Sequence, residues 1–270
     1  MIIDKIKQSA IIYNANRRNL AIVVANSRKE NVEEPVMIDF HNHILPGIDD
    51  GSRDSEMSLA MLRMEREQGV TEIVFTPHFY AQEDSVTHFI KKREHSVSRL
   101  EEAAAQAGEE LMPYHLGAEV YYFRDMGNAS MVPNLCIGES NTILLEMPFG
   151  QWEKNVYEDV VNLIRKQELT VVLAHIERYY KFQKDKSIWN AVMELPLECQ
   201  MNAGPFQDWK KRRKCMELLK RHEVVLLGSD AHNLTSRCPN LGETCAMLDA
   251  KVDADYTKKV ENLARTLLAE

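Results

Sequence analysis

From Val36 onward, short apolar runs alternate with longer stretches in which apolar residues recur every three or four positions. This is the pattern of parallel strand–helix units. The runs predict strands at 36–40, 71–76, 114–120, 142–145, 170–174, 197–201 and 224–228. The fifth, Thr-Val-Val-Leu-Ala, is almost purely apolar and reads as a strand buried on both faces. Between the strands, Met57, Ala60, Met61 and Met64 share one helical face, after the N-cap candidates Ser52, Asp54 and Ser55. Val156, Val160, Leu163 and Ile164 share another face within 154–167. Further helices are expected at about 85–107, 184–194, 209–221, 241–248 and 255–269. Seven strand–helix units without a repeat or a low-complexity linker fit an α/β barrel related to the TIM type better than an open sheet.

Residues 1–36 lack this order. Asn14, Asn16, Arg17, Arg18 and Asn19, then Arg28, Lys29, Glu30 and Asn31, break up two small apolar patches. We expect an N-terminal arm there and one domain over 37–270. A sharper alternative makes Met37 the native start, with Glu33-Glu34 encoded by a purine-rich ribosome-binding sequence.

A net charge of −8 argues against a general nucleic-acid binder. Cys136, Cys199, Cys215, Cys238 and Cys245 form no CxxC pair and no even framework, as expected of reduced thiols in a cytoplasmic protein. No apolar run approaches the roughly 20 residues of a membrane span.

Chemistry-bearing residues gather where the predicted strands end, which in a β/α barrel is the catalytic face. The first strand ends in His41-Asn42-His43, two imidazoles on one side of an extended segment, followed by Asp49-Asp50-Gly51. Later strands end in His78, Glu119, Glu146, His175 and Asn202, and the seventh in Asp230-Ala231-His232. A lone histidine after a strand is more often a hydrogen-bonded loop residue. Five imidazoles and three carboxylates at one mouth, however, would stay unsatisfied without cations. Nitrogen and oxygen donors without thiolates suit Mn, Fe or Zn, and so many of them imply two or three ions. Clustered ions generate a hydroxide nucleophile and stabilise in-line displacement at phosphorus. Arg178 and Arg237 stand near the mouth as phosphate binders, although either alone would pass for a surface ion pair. Asp50 is a candidate general acid, or else a metal or supporting group.

Cys215 and Arg221 have the C-x5-R spacing of cysteine-dependent phosphatases. That chemistry needs a phosphate-cradling loop, and here the segment is glycine-free and helical. Aromatics beside the mouth, among them Phe79, Tyr80, Tyr121, Phe149 and Trp152, either stack on an aromatic leaving group or simply pack the loops. His88, His95, His115 and His222 lie in peripheral segments and are expected to carry no chemistry.

The ordered motifs His-x-His, Thr-Pro-His, Gly-x-Glu-Val, Leu-Leu-Glu, Ala-His-Ile-Glu-Arg-Tyr, Asn-Ala-Gly and Ser-Asp-x-His resemble the PHP (polymerase and histidinol phosphatase) superfamily. Leu45-Pro46-Gly47-Ile48-Asp49-Asp50-Gly51 and His175-Ile176-Glu177-Arg178-Tyr179 resemble its CpsB/YwqE branch, bacterial manganese-dependent protein-tyrosine phosphatases of capsule and exopolysaccharide synthesis. The resemblance covers about 37–248 and implies a distorted (β/α)7 barrel with a trinuclear site, Mn2+ being the expected ion. It assigns His41, His43, His78, Glu119, Glu146, His175, Asp230 and His232 as ligands. It gives Arg178 and Arg237 to phosphate and Asp50 to the leaving group. The implied substrate is a phosphotyrosyl protein, a tyrosine kinase of polysaccharide export. The alternatives are a small-molecule phosphatase of the histidinol-phosphate type and a catalytically weak metal-binding module that docks on such a complex.

Overall fold

The structure, a computed structural model, describes residues 36–269. The arm expected over 1–36 lies outside the described residues except for Val36. Among the described residues the strands are β1 (Ile38–Asn42), β2 (Glu72–Phe75), β3 (His78–Phe79), β4 (Tyr114–Leu116), β5 (Glu119–Tyr121), β6 (Thr142–Glu146), β7 (Thr170–Leu173), β8 (Glu198–Asn202) and β9 (Leu226–Gly228). All neighbouring strands are parallel, in the orders β1-β2-β4 and β3-β5-β6-β7-β8-β9.

These nine strands make seven passes. β2 and β3 are one pass interrupted at Thr76-Pro77, and β4 and β5 are one pass interrupted at Gly117-Ala118. The break at Gly117-Ala118 corrects the uninterrupted strand expected at 114–120, whereas β2 lies within the strand expected at 71–76 and ends before Pro77. Pro77 has no N–H to give the ladder, so pairing lapses there and resumes at His78. The two breaks stay linked, since Gly117 N donates to Phe75 O at 2.8 Å and Glu119 N to Pro77 O at 3.0 Å. The sheet therefore bends at this level without losing register.

The curled sheet closes between its first and last passes. Asp230 N donates to His41 O at 2.7 Å, and His43 N donates to Ala231 O at 2.9 Å. Glycine is required at 228 for this approach, because a Cβ there would stand 2.6 Å from the Cβ of His41. The result is the distorted seven-pass barrel.

β1 also carries a bulge. Asp39 pairs with Ile73 and Asn42 with Phe75, so β1 has one residue more than β2 over this interval. The bulge resets the inward alternation. Ile38 and Phe40 join an interior apolar cluster with Val74, Leu144, Val172 and Leu226, while His41 and His43 still reach the site above it. The same cluster holds Leu263, Ala264, Leu267 and Leu268 of the last helix, α8 (Tyr256–Leu268), which closes the far end of the barrel. Thr142 Oγ1 pins it by donating to Leu267 O at 2.7 Å. Each such fully buried apolar side chain stabilises the fold by roughly 1.5–3 kcal/mol relative to exposure.

The outer helices are α1 (Ser55–Glu67), α2 (Val86–Ala107), α3 (Lys154–Arg165), α4 (Ser187–Met193), α5 (Gly204–Gln207), α6 (Trp209–Leu219) and α7 (Leu241–Lys251). Asp54 caps α1 by accepting from Met57 N, and Ser85 caps α2 by accepting from His88 N. Among the described residues no helix is long and apolar enough to cross a membrane.

Candidate metal centre

The eight histidines and carboxylates expected at the strand ends converge on one buried cluster. Glu119, the first residue of β5, is its hub. Its Oε2 stands 3.1 Å from His41 Nε2, 3.2 Å from His43 Nε2 and 3.1 Å from His78 Nδ1, and its Oε1 stands 2.7 Å from His175 Nε2. Glu146, closing β6, approaches His175 Nε2 at 3.3 Å and His78 Nδ1 at 3.9 Å. Asp230 Oδ1 lies 3.5 Å from His43 Nε2 and 3.7 Å from His41 Nε2. Asp50 Oδ1 sits between His232 Nε2 and His78 Nε2, at 3.4 and 3.6 Å. Three overlapping groups have the spacing to hold an ion: His43, Asp50, His78 and His232; His41, His43 and Glu119; and His78, Glu119 and Glu146.

The backbone is bent to present these groups. His175 has φ 30° and Asp230 has φ 52°, left-handed conformations that cost a non-glycine residue about 1–3 kcal/mol. At Asp230 the seam with β1 holds the conformation in place.

The ring tautomers are set from outside the cluster. His41 Nδ1 donates to Gln200 Oε1 at 3.1 Å, and His43 Nδ1 donates to Asp49 Oδ2 at 2.7 Å. In the neutral rings this leaves both Nε2 atoms as lone pairs, which face each other at 3.2 Å with Glu119 Oε2 beside them. His232 Nδ1 donates to the carbonyl of Asp230, which frees its Nε2 as well. His78 Nδ1, His175 Nδ1 and His232 Nε2 are buried without a hydrogen bond. Converging lone pairs and orphaned imidazole nitrogens around carboxylates need a cation. With nitrogen and oxygen donors only, the residues fit hard to borderline divalent ions.

The electrostatics point the same way. Burial alone would raise the Glu119 carboxyl, but the imidazoles of His41, His175 and His43 outweigh it and hold the group well below the usual carboxylate range. Burial likewise opposes ionisation of Asp230, and His43, His41 and Arg178 override it. Burial pushes His78 down, and burial with the neighbouring His43 pushes His232 down to about 4, so both rings are neutral at pH 7. Burial disfavours the cations of His43 and His175, yet the carboxylates beside them raise both, His175 to about 9. The field that draws a proton to these rings is equally a field for a metal ion.

Arg178 and Arg237 both reach Asp230. Arg178 Nη2 donates to Oδ2 at 2.5 Å and Arg237 Nη2 to Oδ1 at 2.7 Å. Asn202 Nδ2 also donates to Oδ2, at 2.6 Å, and takes Gln200 Nε2 on its own Oδ1 at 3.0 Å. Gln200 Oε1 accepts from His175 N at 2.8 Å. One amide chain on β8 therefore ties His41, His175 and Asp230 together. Sequence reasoning missed Gln200 and Asp49. Gln200 stands two residues before Asn202, on the same face of a strand that enters the site, and that spacing was the available signal.

Cys215 lies buried in α6, and burial pushes its thiol up to about 12, the opposite of a nucleophilic cysteine. His88 pairs with Asp84 and His115 with Glu72, away from the cluster. Trp152 is buried packing, whereas Phe149 stacks on His175 with ring centroids 5.9 Å apart and stays partly exposed.

Comparison with known proteins adds the context. Two relatives are the tyrosine-protein phosphatase CpsB of Streptococcus pneumoniae and the tyrosine-protein phosphatase YwqE of Bacillus subtilis (strain 168). CpsB is 27% identical over 243 residues, covering 83% of this chain and 94% of that protein. YwqE is 27% identical over 245 residues, covering 86% and 91%. A crystal structure from work on YwqE and CpsB, described as metal-dependent tyrosine phosphatases, superposes with a TM-score of 0.74 at 22% identity, covering 86% of this chain and 94% of that one. At that identity the superposition speaks for the fold. The profile of the family described as "Capsular polysaccharide synthesis, CpsB/CapC" matches residues 37–267, and the chain belongs to that family.

Proposed function

We propose that this chain is a metal-dependent protein-tyrosine phosphatase of the cytoplasm. Its substrate would be a phosphotyrosyl protein, a tyrosine kinase that controls capsule or exopolysaccharide synthesis. The observation that carries this reading is the convergence of five imidazoles and three carboxylates beside two arginines at one barrel mouth. The family match and the names of the two relatives support the substrate class. Residues 37–270 would act as one catalytic domain.

In this reading His41, His43, His78, Glu119, Glu146, His175, Asp230 and His232 hold two or three ions, with Mn2+ favoured and Fe or Zn admissible by donor type. Such ions would bring the pKa of water near neutrality and offset charge on the phosphoryl oxygens. The chain's own residues supply the rest. Arg178 and Arg237 swing a guanidinium each from Asp230 onto the non-bridging phosphoryl oxygens, fixing the phosphorus for in-line attack. Asp50, two-thirds exposed between His78 and His232, gives a proton to the tyrosyl oxygen as the P–O bond breaks. Beside it a cavity of about 580 Å3, lined by Ile48, Asp50, His78, Phe79 and Tyr80, takes the tyrosyl ring.

The decisive assay is hydrolysis of a phosphotyrosyl peptide with and without EDTA, then after Mn2+ is added back. We expect activity to vanish with chelator and return with the ion. Activity that survives EDTA but is lost in Cys215→Ser would sink the proposal.

A further inference from the structure

The mouth has two unlike rims. On the side of β2 the wall of the cavity beside Asp50 also carries Glu83, and Asp84 paired with Lys92 at 3.6 Å. On the side of β7 and β8 the charge reverses. Residues 181–221 contain ten lysines and arginines against five acidic residues, in a chain whose net charge is −8.

Part of this cationic charge is gathered at one point. Lys186 Nζ stands 3.8 Å from the ring centroid of Tyr180, Lys214 Nζ 5.6 Å and the Arg221 guanidinium 5.9 Å. These cations come from three places in the chain: the approach to α4, the middle of α6 and the turn after α6. Lys181 Nζ lies 4.8 Å over Phe182 next to them. Among the described residues, Lys181, Lys186, Lys214 and Arg221 make no ion pair with a carboxylate, whereas Lys211 and Arg213 nearby do. Like charges held around one ring repel each other, and an anionic ligand relieves that repulsion. The contact with Lys186, joined by the charge of Arg221, lowers the Tyr180 phenol against the opposing effect of its partial burial, which registers the same positive field.

The cationic rim is continuous with the metal centre. Phe149 stacks on His175 at 5.9 Å, and Phe182 packs edge-on against Phe149 at 6.0 Å. Two ring-to-ring steps and the 4.8 Å from the Phe182 ring to Lys181 Nζ thus separate His175 from Lys181, no more than about 17 Å, or about five residues of extended peptide.

We propose that Lys181, Lys186, Lys214 and Arg221 form a docking rim for acidic side chains about five residues from the phosphotyrosine of the protein substrate. This rests on the phosphatase reading above. The opposite wall holds Glu83 and the paired Asp84 and Lys92, so the cations beside Tyr180 and Phe182 are the stronger attraction and the acidic flank lies over Phe149 and Phe182. Charge complementarity and continuity with the mouth favour a peptide over an anionic membrane. The exposed Trp209 at the start of α6, with Lys210 beside its ring, is the feature a membrane would use instead.

The test uses the full chain loaded with Mn2+ and three substrates: 4-nitrophenyl phosphate, a phosphotyrosyl peptide with neutral flanks, and the same peptide with glutamates four and five residues from the phosphotyrosine. We expect kcat/KM to favour the acidic peptide by about five- to tenfold at low salt, with the preference shrinking as ionic strength rises. A Lys181→Gln/Lys186→Gln/Lys214→Gln variant should lose the preference while still hydrolysing 4-nitrophenyl phosphate. If that variant is poorly folded, single Lys→Gln variants should each lose part of the preference. Equal kcat/KM for the two peptides in the unsubstituted chain would overturn the rim. So would lysine-dependent binding to phosphatidylserine vesicles without any peptide preference. If none of the three phosphoesters turns over, the phosphatase reading itself falls, and the rim with it.

Discussion

Two kinds of residue meet at the metal centre, and they are held in different ways. The eight at strand ends are buried or nearly so, their side chains at most 12% exposed, and neighbours fixed elsewhere in the fold set their ring orientations. The three on loops are far more open: Asp50 is 66% exposed, Arg178 35% and Arg237 37%. A donor set for cations must be fixed to a fraction of an ångström before anything binds, and strand ends in a packed barrel provide that. Groups that follow a phosphoryl group through displacement need room to move, and loops provide that. If this division is real, substitutions in the first group should act on metal content, and substitutions in the second on turnover alone.

The largest effect is expected at the hub. Glu119→Gln removes the charge that four imidazoles share, and should strip most of the bound metal and lower kcat/KM about a thousandfold. Elemental analysis beside the kinetics checks it, and a variant that keeps its metal and its rate would break the comparison at its base. Asp50→Asn comes next. It should cost about a hundredfold in kcat on a tyrosyl phosphate and much less on 4-nitrophenyl phosphate, whose phenolate leaves without a proton, with metal content unchanged. Loss of metal in this variant would move Asp50 into the buried set, beside His43, His78 and His232. The smallest effect is expected one layer out. Gln200→Leu removes the acceptor that fixes the His41 tautomer, and should weaken metal affinity about 10–100-fold while kcat at saturating metal changes little. A Mn2+ titration separates the two terms, and unchanged affinity would show that the barrel alone orients His41.

The residues easiest to read from sequence were those whose position is announced locally. Each of His41, His78, Glu119, Glu146, His175 and Asp230 stands at or just beyond an apolar run, so a strand-end rule reaches them all. Gln200 and Asp49 escaped because their roles depend on which ring nitrogen they face. For Gln200 that contact spans 159 positions of chain; its spacing from Asn202 puts it on the site face of β8 but does not say that it faces His41. Strand interruptions followed the same logic. Pro77 announces a break but not the two-residue strand after it, which exists only because β5 lies alongside. The bulge in β1 is visible only against the register of β2. Cys215 was legible in the negative sense, since a glycine-free amphipathic stretch predicted the helix that buries it.

The seam between β1 and β9 bears on how the protein is made. Asp39 accepts from Ser229 across 190 positions, and the seam carries His41 and His43 on one side and Asp230 and His232 on the other. At ribosomal rates of ~5–20 residues per second, the first two histidines emerge about 10–40 s before their partners. Glu119 and Glu146 follow within that interval, and the closing strand adds Asp230, His232 and the closed wall. The cluster that joins the two edges is therefore complete only when the last sixth of the chain has been made.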